Sequence, residues 1–431
     1  MRKIVCVPKN LIPQHLKTDT KYFCTYSNPR RDDVGYFGPD LIEQVMRRGL
    51  KPSVQVWDFM TIALSVTATD NSVTREKSAD GWTRQIELHI HLCDPTIWEP
   101  VKRDLQDTLR FLTGDFWKLK LLGGGVRPPS FTPIDLFPTY EPDCIALLSG
   151  GADSLAGALD LISEPRRPMF VSQVVKGDTV TQKKYAQQIQ PGIKHCQWSH
   201  KIHRTKGESE QTTRARSLIF FAFAALAASA MTPSVNRPVE IFVPENGFIS
   251  LNIPLHTGRI GSLSTKTTHP VYLAGIQKIW DALDFNLKLV SPYRFKTKGE
   301  ILKECSSQEL LKELIAESTS CGKYQSHGWQ HCGRCVPCMV RRAAFKYADI
   351  SDNTKKGYEF SRLSNADRTL RGPDDVGAMA IACLKYRQYG IRSLIGGSLS
   401  FASTDKRKKF EGVIKRGLEE IEKLLIEYKV I

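Results

Sequence analysis

The stretch Leu147-Leu148-Ser149-Gly150-Gly151-Ala152-Asp153-Ser154-Leu155 ends an apolar run and opens a segment of helical character. Its two glycines let the backbone turn sharply and approach a polyanion without interference from a Cβ atom. The helix predicted to begin here presents unpaired N–H groups and its positive dipole end to the same anion. A bare Ser-Gly-Gly is explained by a capped turn. The whole hexapeptide at 149–154, between strand and helix, favours a phosphate-binding loop.

The segments that follow this loop alternate between strand and helix, which is typical of a parallel sheet with helices on its faces. No Gly-x-x-x-x-Gly-Lys-Ser/Thr motif occurs, so the loop differs from that of motor ATPases and GTPases. The predicted strands lie at 144–148, 169–175 and 239–243, and the predicted helices at 155–162, 181–189 and 218–231.

The residues before this unit have a mixed pattern. Apolar and polar residues alternate over 85–92, which predicts a strand with one wet face, and 100–112 predicts a helix. The mostly apolar stretch 54–66 is interpreted as a strand. His89 and His91 share the polar face of the alternating strand. We interpret them as surface residues, because no third ligand lies at a metal-binding spacing.

Breaks in composition divide the chain. The segment 128–142 contains five prolines and is predicted to be a linker, because proline sustains neither a helix nor an interior strand. The last segment, 410–430, repeats apolar residues at helical spacing. We therefore predict an α/β protein with an N-terminal α+β domain at 1–138, a parallel-sheet domain at 139–350 and a helical C-terminal region at 351–431.

The composition, 41% hydrophobic and 25% charged over 431 residues, is that of a globular protein of two or three domains. No apolar run reaches the roughly 20 residues that span a bilayer, and no secretory signal precedes the chain, so we expect a cytoplasmic protein. The net charge of +16 is spread along the sequence, with one dense basic run at 406–409. A diffuse excess indicates weak attraction to polyanions, ATP included, rather than a nucleic-acid groove.

Four of the eleven cysteines cluster, which indicates a metal site rather than disulfides in a cytosolic chain. Four thiolates suit a closed structural zinc site. An iron–sulfur cluster is the alternative, because three cysteines at this spacing also occur in ferredoxins. His327 and His331 lie inside the loop and are candidates to replace one cysteine. The clustered residues are Cys321, Cys332, Cys335 and Cys338.

With its phosphate loop the chain resembles the PP-loop ATP pyrophosphatases, which cut ATP between the α and β phosphates and transfer AMP to an oxygen atom. The later cysteine cluster makes the combination similar to the QueC family of 7-cyano-7-deazaguanine synthases. The segments 212–220 and 298–301, and 319–321 followed by Arg341, fit that family as well. The resemblance covers roughly residues 141–350.

The resemblance implies ATP, Mg²⁺ and Zn²⁺ as cofactors, with Asp153 helping to hold Mg²⁺ and the four cysteines holding zinc. Asp153 and Ser154 are expected at an exposed helix start. The residues implied to bind ATP are Ser149, Gly150, Gly151, Ala152, Asp153 and Ser154. The residues implied to be catalytic are Ser149, Asp153, Ser154, Arg216 and Lys298.

The substrate end departs from the family, because its Tyr-Pro-Asp-Cys-Arg stretch is replaced by the segments 243–252 and 259–270. The first of these puts a carboxylate and an amide directly after a predicted strand, where open α/β sheets bind ligands. The polar run in the second is interpreted as a substrate or ATP lid; a mobile surface loop is the alternative. The substrate candidates are Glu245, Asn246, Thr265, Lys266, Thr268 and His269.

We interpret the chain as an ATP-dependent carbon–nitrogen ligase that adenylates a deazaguanine-type carboxylate and releases pyrophosphate. An amine then attacks to give an amide, which a second activation dehydrates to a nitrile in the family. The overall plan also resembles the larger QueC-like proteins of bacterial anti-phage operons, which suggests a partner protein of the same operon. A tRNA-modifying PP-loop enzyme and a catalytically inactive ATP sensor are the alternatives.

Overall fold

The computed structural model describes residues 1–130, 141–207, 209–211, 213–231, 237–255, 266–364 and 375–431. Within these residues the chain forms two largely parallel sheets and a group of C-terminal helices. None of the helices in these ranges combines the length and apolar character needed to cross a bilayer. The predicted α/β class is confirmed.

The first sheet has the strand order β5-β4-β1-β2-β3-β9 and is parallel except where β3 meets β9. This largely parallel arrangement differs from the α+β domain expected at 1–138, and β9 comes from the middle of the chain. The elements are β1 Arg2–Val7, β2 Thr20–Thr25, β3 Gly35–Phe37, α1 Leu41–Arg47, α2 Val54–Ser72, β4 Gln85–His91, α3 Pro95–Trp98, α4 Lys102–Thr113, β5 Phe116–Leu122 and β9 Ile202–His203.

The predicted strand at 54–66 is wrong, because the stretch is part of the 19-residue helix α2. Ser53 caps this helix by accepting a hydrogen bond from the N–H of Val56 at 3.3 Å. Nearly every residue of α2 is buried, so the helix lacks the polar face whose period would reveal it. Its polar side chains satisfy themselves locally, as when Ser65 donates to the carbonyl oxygen of Thr61.

The second sheet is parallel throughout, with the order β11-β10-β6-β7-β8. The first strand of this unit along the chain, β6, is central, so the strand order reverses around it. Ligands of open α/β folds bind at such a switch point, beyond the carboxyl ends of the strands. The elements are β6 Cys144–Leu147, α5 Ala152–Ser163, β7 Pro168–Gln173, α6 Thr179–Ile189, β8 His195–Trp198, α7 Arg216–Ala228, β10 Val239–Phe242, α8 Gly247–Leu251, α9 Pro270–Ala282, β11 Leu287–Val290, α10 Lys298–Glu304 and α11 Gln308–Leu314.

One continuous apolar core joins the two sheets. Helices α2 and α7 pack against each other, and their buried side chains lie in the same cluster as those of both sheets. The expected domain boundary at 138 lies within 131–140, outside the described residues, and the division of the chain into three domains stays a prediction. Because the two sheets share this core, the first sheet and its helix α2 support the second sheet through α7.

The C-terminal region is helical, as predicted, in the residues that the structure describes. Its helices are α13 Asp375–Tyr389, α14 Arg392–Ile395 and α15 Thr404–Glu427, and α12 Val336–Tyr347 precedes the region. Helix α15 packs on α8, α10, α12 and α13, and its apolar face closes a separate hydrophobic core. The contacts with α8 and α10 bring this last helix to the edge of the second sheet where the candidate site lies.

Candidate functional site

The phosphate loop lies at the carboxyl end of β6, between β10 and β7, and leads into α5. Gly150 has φ +93°, a left-handed conformation that favours glycine. Gly151 precedes the helix, and a Cβ atom there would lie 3.3 Å from the carbonyl oxygen of Thr319. The loop is therefore tight, and the first-turn N–H groups of α5 have no acceptor inside the helix.

The two serine side chains of the loop stabilise its shape. The Ser149 hydroxyl donates to the Ser154 Oγ at 3.1 Å and accepts from the Gly151 N–H at 3.3 Å. The Ser154 hydroxyl donates to the Gly151 carbonyl oxygen at 2.9 Å. Gln182 of α6 donates to the Ser149 carbonyl oxygen at 3.1 Å. Hydrogen bonds within the protein therefore fix the shape of the loop.

Asp153 of the loop belongs to a buried cluster of polar side chains. The Lys298 Nζ lies 2.5 Å from Oδ1 of Asp153, and both side chains are buried. Asn246 donates to the other oxygen, Oδ2, from its side chain at 2.7 Å and from its backbone N–H at 3.2 Å. Its side-chain amide also donates to Oε1 of Glu245 at 3.0 Å. Two carboxyl groups therefore share one lysine and one amide.

The two carboxyl groups differ in charge. Burial works to raise the pKa of Asp153, but Lys298 and the surrounding hydrogen bonds lower it below its ordinary value. Burial, together with the neighbouring Asp153 charge, raises the pKa of Glu245 well above its ordinary value. These shifts favour ionisation of Asp153 and protonation of Glu245, and a protonated Glu245 can donate a hydrogen bond.

Two expectations about this group need correction. Asp153 and Ser154 were expected at an exposed helix start, but they are 5% and 4% exposed. They are covered by the partners of the loop and by Lys298. Asn246 was expected to meet the substrate, but it is fully buried, and its Oδ1 accepts from the N–H of Ile249 as the cap of α8. Its role in this structure is to position Asp153.

A cavity of about 280 Å³, here named the phosphate-loop cavity, opens over the loop. Its lining includes Glu245 and Lys298 together with Thr319 and Ser320. The remaining lining residues are Ser149, Gly151, Ala152, Asp153, Ser154, Pro244, Ile249, Thr267, Thr268, Cys321, Gly322 and Pro337. The expected ATP-binding residues therefore line one cavity, except for Gly150, which lies behind it.

Residues 319–321, which lead into the cysteine loop at 321–338, line part of this cavity. The N–H of Thr319 donates to the Gly150 carbonyl oxygen at 3.0 Å. Arg341, fully buried on α12, donates to the carbonyl oxygens of Ser318 at 3.1 Å and Ile315 at 3.3 Å. The arginine that fits the family pattern thus holds the chain between the phosphate loop and the cysteine loop.

The four clustered cysteines converge on one point. Their sulfur atoms all lie within 4.8 Å of one another, and all four residues are buried. Two pairs of sulfur atoms, Cys321 with Cys335 and Cys332 with Cys338, are 3.9 Å apart. A zinc ion with Zn–S bonds of about 2.3 Å in a tetrahedron sets the sulfur atoms about 3.8 Å apart. The donor set therefore fits one zinc ion.

The alternatives for this site are less well matched. His331 accepts a hydrogen bond from the Ser320 N–H at 3.1 Å, and His327 is paired with Glu359. Neither histidine belongs to the converging group among the described residues. An iron–sulfur cluster places several atoms between the thiolates, whereas sulfur atoms 3.9 Å apart leave room for a single ion.

Arg216 lies at the start of α7 on the same sheet edge but does not line the phosphate-loop cavity. Its Nε donates to Oε1 of Gln173 at 3.2 Å. The backbone N–H groups of Arg214 and Ala215 donate to Asp70 of α2 at 2.6 and 2.8 Å. The first sheet's helix therefore fixes the end of α7 that carries Arg216.

The structure describes only part of the polar run that was expected to form a lid, from Lys266 onward. Thr268 lines the phosphate-loop cavity, whereas Thr265 lies outside the described residues. The Lys266 Nζ lies 4.4 Å from the Phe111 ring centre. His269 is buried, and its Nδ1 accepts from the Val271 N–H as the cap of α9. Of the three candidates that the structure describes, Lys266, Thr268 and His269, Thr268 is the one that lines the cavity.

Sequence reasoning missed two residues at this edge: Asp178 and Gln182. Asp178 lies beside Gly150, and its Oδ1 is buried without a hydrogen-bond partner in the described structure. Burial raises the pKa of Asp178, against a hydrogen bond from Thr319 and the charge of Arg216. Asp178 follows β7 closely, so the rule that parallel strands carry ligand-binding residues beyond their carboxyl ends gives the signal.

Comparison with known proteins supports the family resemblance over the later half of the site. Residues 268–349 match the family model described as queuosine biosynthesis protein QueC. This match contains Lys298 and the cysteine loop but not the phosphate loop.

Three relatives are described as 7-cyano-7-deazaguanine synthase. The protein of Methanococcus maripaludis is 41% identical over 71 residues, or 16% of this chain and 30% of the relative. That of Methanocaldococcus jannaschii is 38% identical over 71 residues, 16% and 31% of the two chains. That of Paracoccus denitrificans is 35% identical over 103 residues, 23% and 42%. The chain thus spans less than half the length of these curated relatives. The family-model match and these relatives show that part of the chain is similar to the QueC family, and the converging cysteines lie within that part, residues 268–349.

Proposed function

We propose that the chain is an ATP-dependent enzyme that activates a carboxylate by adenylation, with release of pyrophosphate. The observation that carries the proposal is the phosphate-loop cavity. There the glycine loop, the start of α5, Lys298 and the segment from Thr319 to Cys321 meet around one space. The family match and the synthase relatives support the choice of a carboxylate.

In the proposed mechanism the N–H groups of Gly151 and the first turn of α5 bind the phosphates that leave as pyrophosphate. The ammonium group of Lys298, whose Nζ lies 2.5 Å from Oδ1 of Asp153, offsets the negative charge that develops on the phosphates. Glu245, as a carboxylic acid, can donate a hydrogen bond toward the phosphates or the acid. Arg216, at the start of α7, is proposed to neutralise charge on the phosphates as well.

Metal ions have two proposed roles. Mg²⁺ would balance the ATP charge. Asp153 is the expected ligand, yet both its oxygens are engaged by Lys298 and Asn246. The unpaired Oδ1 of Asp178 is a second oxygen available at this edge. Zinc would hold the cysteine loop, and through Thr319 it would hold the wall of the phosphate-loop cavity.

The test is ATP–pyrophosphate exchange with 7-carboxy-7-deazaguanine as the acid, together with identification of the products. The wild type should form AMP and pyrophosphate. Ser154→Ala should greatly reduce exchange, because Ser154 Oγ accepts from Ser149 and donates to the loop backbone. Ser163→Ala, at the exposed other end of α5, is the matched control. ADP and orthophosphate as products would place the cut at the wrong bond and refute the proposal.

A tRNA substrate is the second candidate, favoured by the net charge of +16. In that case exchange should require tRNA and fall steeply with salt, because phosphate contacts release counterions.

The resemblance to QueC-like proteins of anti-phage operons extends the first proposal to the acceptor, which would be ammonia or an amine of a partner protein. Intact mass spectrometry of co-expressed partner proteins should then find an adduct of deazaguanine size.

A further inference from the structure

A second cavity, here named the tail cavity, lies beside the first and has a volume of about 310 Å³. This volume is at the lower end of the roughly 300–1,000 Å³ typical of small-molecule sites. Its walls come from the loop after β10, from α8 and α9, from β11 and the loop after it, and from the start of α15 with the residues just before it. The residues that carry the argument are Glu245, Thr268, Arg294, Phe295, Phe401 and Lys406.

The two cavities are adjacent compartments. Glu245 and Thr268 line both of them, so these side chains form the partition between the phosphate loop and the tail cavity. A molecule in the tail cavity that reaches past Glu245 meets the space where the phosphates would bind. The tail cavity is therefore placed to hold the molecule that reacts with ATP.

The tail cavity carries positive charge. Arg294 and Lys406 are exposed side chains on its lining, and neither has a carboxylate partner within the part of the chain that the structure describes. Lys409, from the same basic run as Lys406, lies with its Nζ 5.5 Å from the Phe295 ring centre. A guanidinium group binds a carboxylate through two parallel hydrogen bonds, and an ammonium group adds a point charge.

Aromatic rings form the apolar side of the same cavity. The ring centres of Phe295 and Phe410 are 5.0 Å apart, and those of Phe401 and Phe410 are 5.7 Å apart. Phe401 is 38% exposed although it is a large apolar residue. Such a ring offers a surface on which a planar molecule can stack.

We propose that the tail cavity binds a planar aromatic carboxylate, with Arg294 and Lys406 as the anion-binding residues and Phe401 as the stacking surface. The inference rests on the proposed function, since it assigns this cavity to the acid that is adenylated. Phe401 and Lys406 lie outside the region that matches the family model, which ends at residue 349. The C-terminal region would therefore determine which acid the enzyme accepts.

Two measurements on the full chain test this assignment. Calorimetry without ATP gives the affinity for 7-carboxy-7-deazaguanine and for the uncharged 7-cyano-7-deazaguanine, and ATP–pyrophosphate exchange gives KM for the acid and for ATP. The variants are Lys406→Ala and Arg294→Ala. The control is Lys408→Ala, which removes an exposed charge from the same basic run without lining the cavity.

The expected result is that the acid binds the wild type, and that each of the two cavity variants weakens its binding roughly tenfold. KM for the acid should rise alike, KM for ATP should stay unchanged, and Lys408→Ala should behave as the wild type. The uncharged nitrile should bind all four proteins equally.

The outcomes separate the two proposals. Binding of the acid that depends on Lys406 and Arg294 but supports no exchange would retain the tail cavity and overturn the proposed adenylation. Exchange driven by the acid with the same KM in both cavity variants would retain adenylation and overturn the tail cavity. Absence of acid binding to the wild type would overturn the tail cavity as well.

Discussion

The ion pair between Lys298 and Asp153 supplies a prediction whose magnitude the structure sets. Lys298→Met keeps the length of the side chain and removes the ammonium group from a site where both partners are buried. Removing one partner of a buried ion pair typically costs about 3–5 kcal/mol, because a charge is left without compensation. Asn246 still donates two hydrogen bonds to Asp153, so we expect a loss near the lower end, about 3 kcal/mol.

The loss should depend on pH. Lys298 lowers the pKa of Asp153, so the pair contributes stability above the ordinary pKa of an aspartate, and this contribution disappears as the pH falls through the lowered value. In Lys298→Met the pKa of Asp153 should rise, and the proton that it shares with Glu245 should be held more tightly. The difference in stability between variant and wild type should therefore be larger at pH 8 than at pH 4.

Urea unfolding of the wild type, Lys298→Met, Asp153→Asn and the double variant checks this reasoning. The double variant should be more stable than the sum of the two single losses predicts, because neither charge is left unpaired. Lys303→Met, an exposed position on the same helix, is the control and should change stability little. Equal losses in Lys298→Met and Lys303→Met, or additive losses in the double variant, would refute the proposed role of the pair.

Three further predictions follow from the same region of the structure. Purified protein should contain about one zinc per chain, and Cys335→Ser should fold poorly, because structural zinc contributes on the order of 10 kcal/mol; elemental analysis that finds iron with sulfide, or no metal, contradicts this. Burial raises the pKa of Glu420 to about 7 despite its hydrogen bond from Thr297. The free energy of unfolding of the wild type should therefore fall as the pH rises from about 4.5 to 7. Urea unfolding of Glu420→Gln should show a smaller dependence on pH over this range. Burial and the Asp153 charge raise the pKa of Glu245, so wild-type exchange should decline as the pH rises through that raised value, whereas Glu245→Gln, which mimics the protonated acid, should lack the decline. Glu245→Ala should weaken the response to the acid. A wild-type pH profile that Glu245→Gln leaves unchanged contradicts the raised pKa of Glu245.

Local sequence was sufficient where the chemistry depends on neighbours along the chain. The phosphate loop is a turn between β6 and α5, and Gly150 and the serines act within six residues of one another. The cysteine spacing likewise predicted a metal site, and the four sulfur atoms converge. Periodicity revealed β4 and α15, since each has one polar face. It failed for α2, because a helix buried on all sides shows no period.

Tertiary structure decided the charges and the neighbours of the site. Lys298 and Asp153 are 145 residues apart, and their pairing, with Asn246 beside them, favours ionisation of Asp153 and protonation of Glu245. These states depend on burial and on distances between side chains, neither of which the order of residues contains. The same holds for the tail cavity, where α15 packs on α8 and α10 and sets Lys406 in the same lining as Glu245. The sequence alone determined the sites built from neighbouring residues, namely the phosphate loop and the cysteine site. Tertiary packing determined which distant side chains meet, because hydrophobic burial brings remote segments together without any local sequence signal.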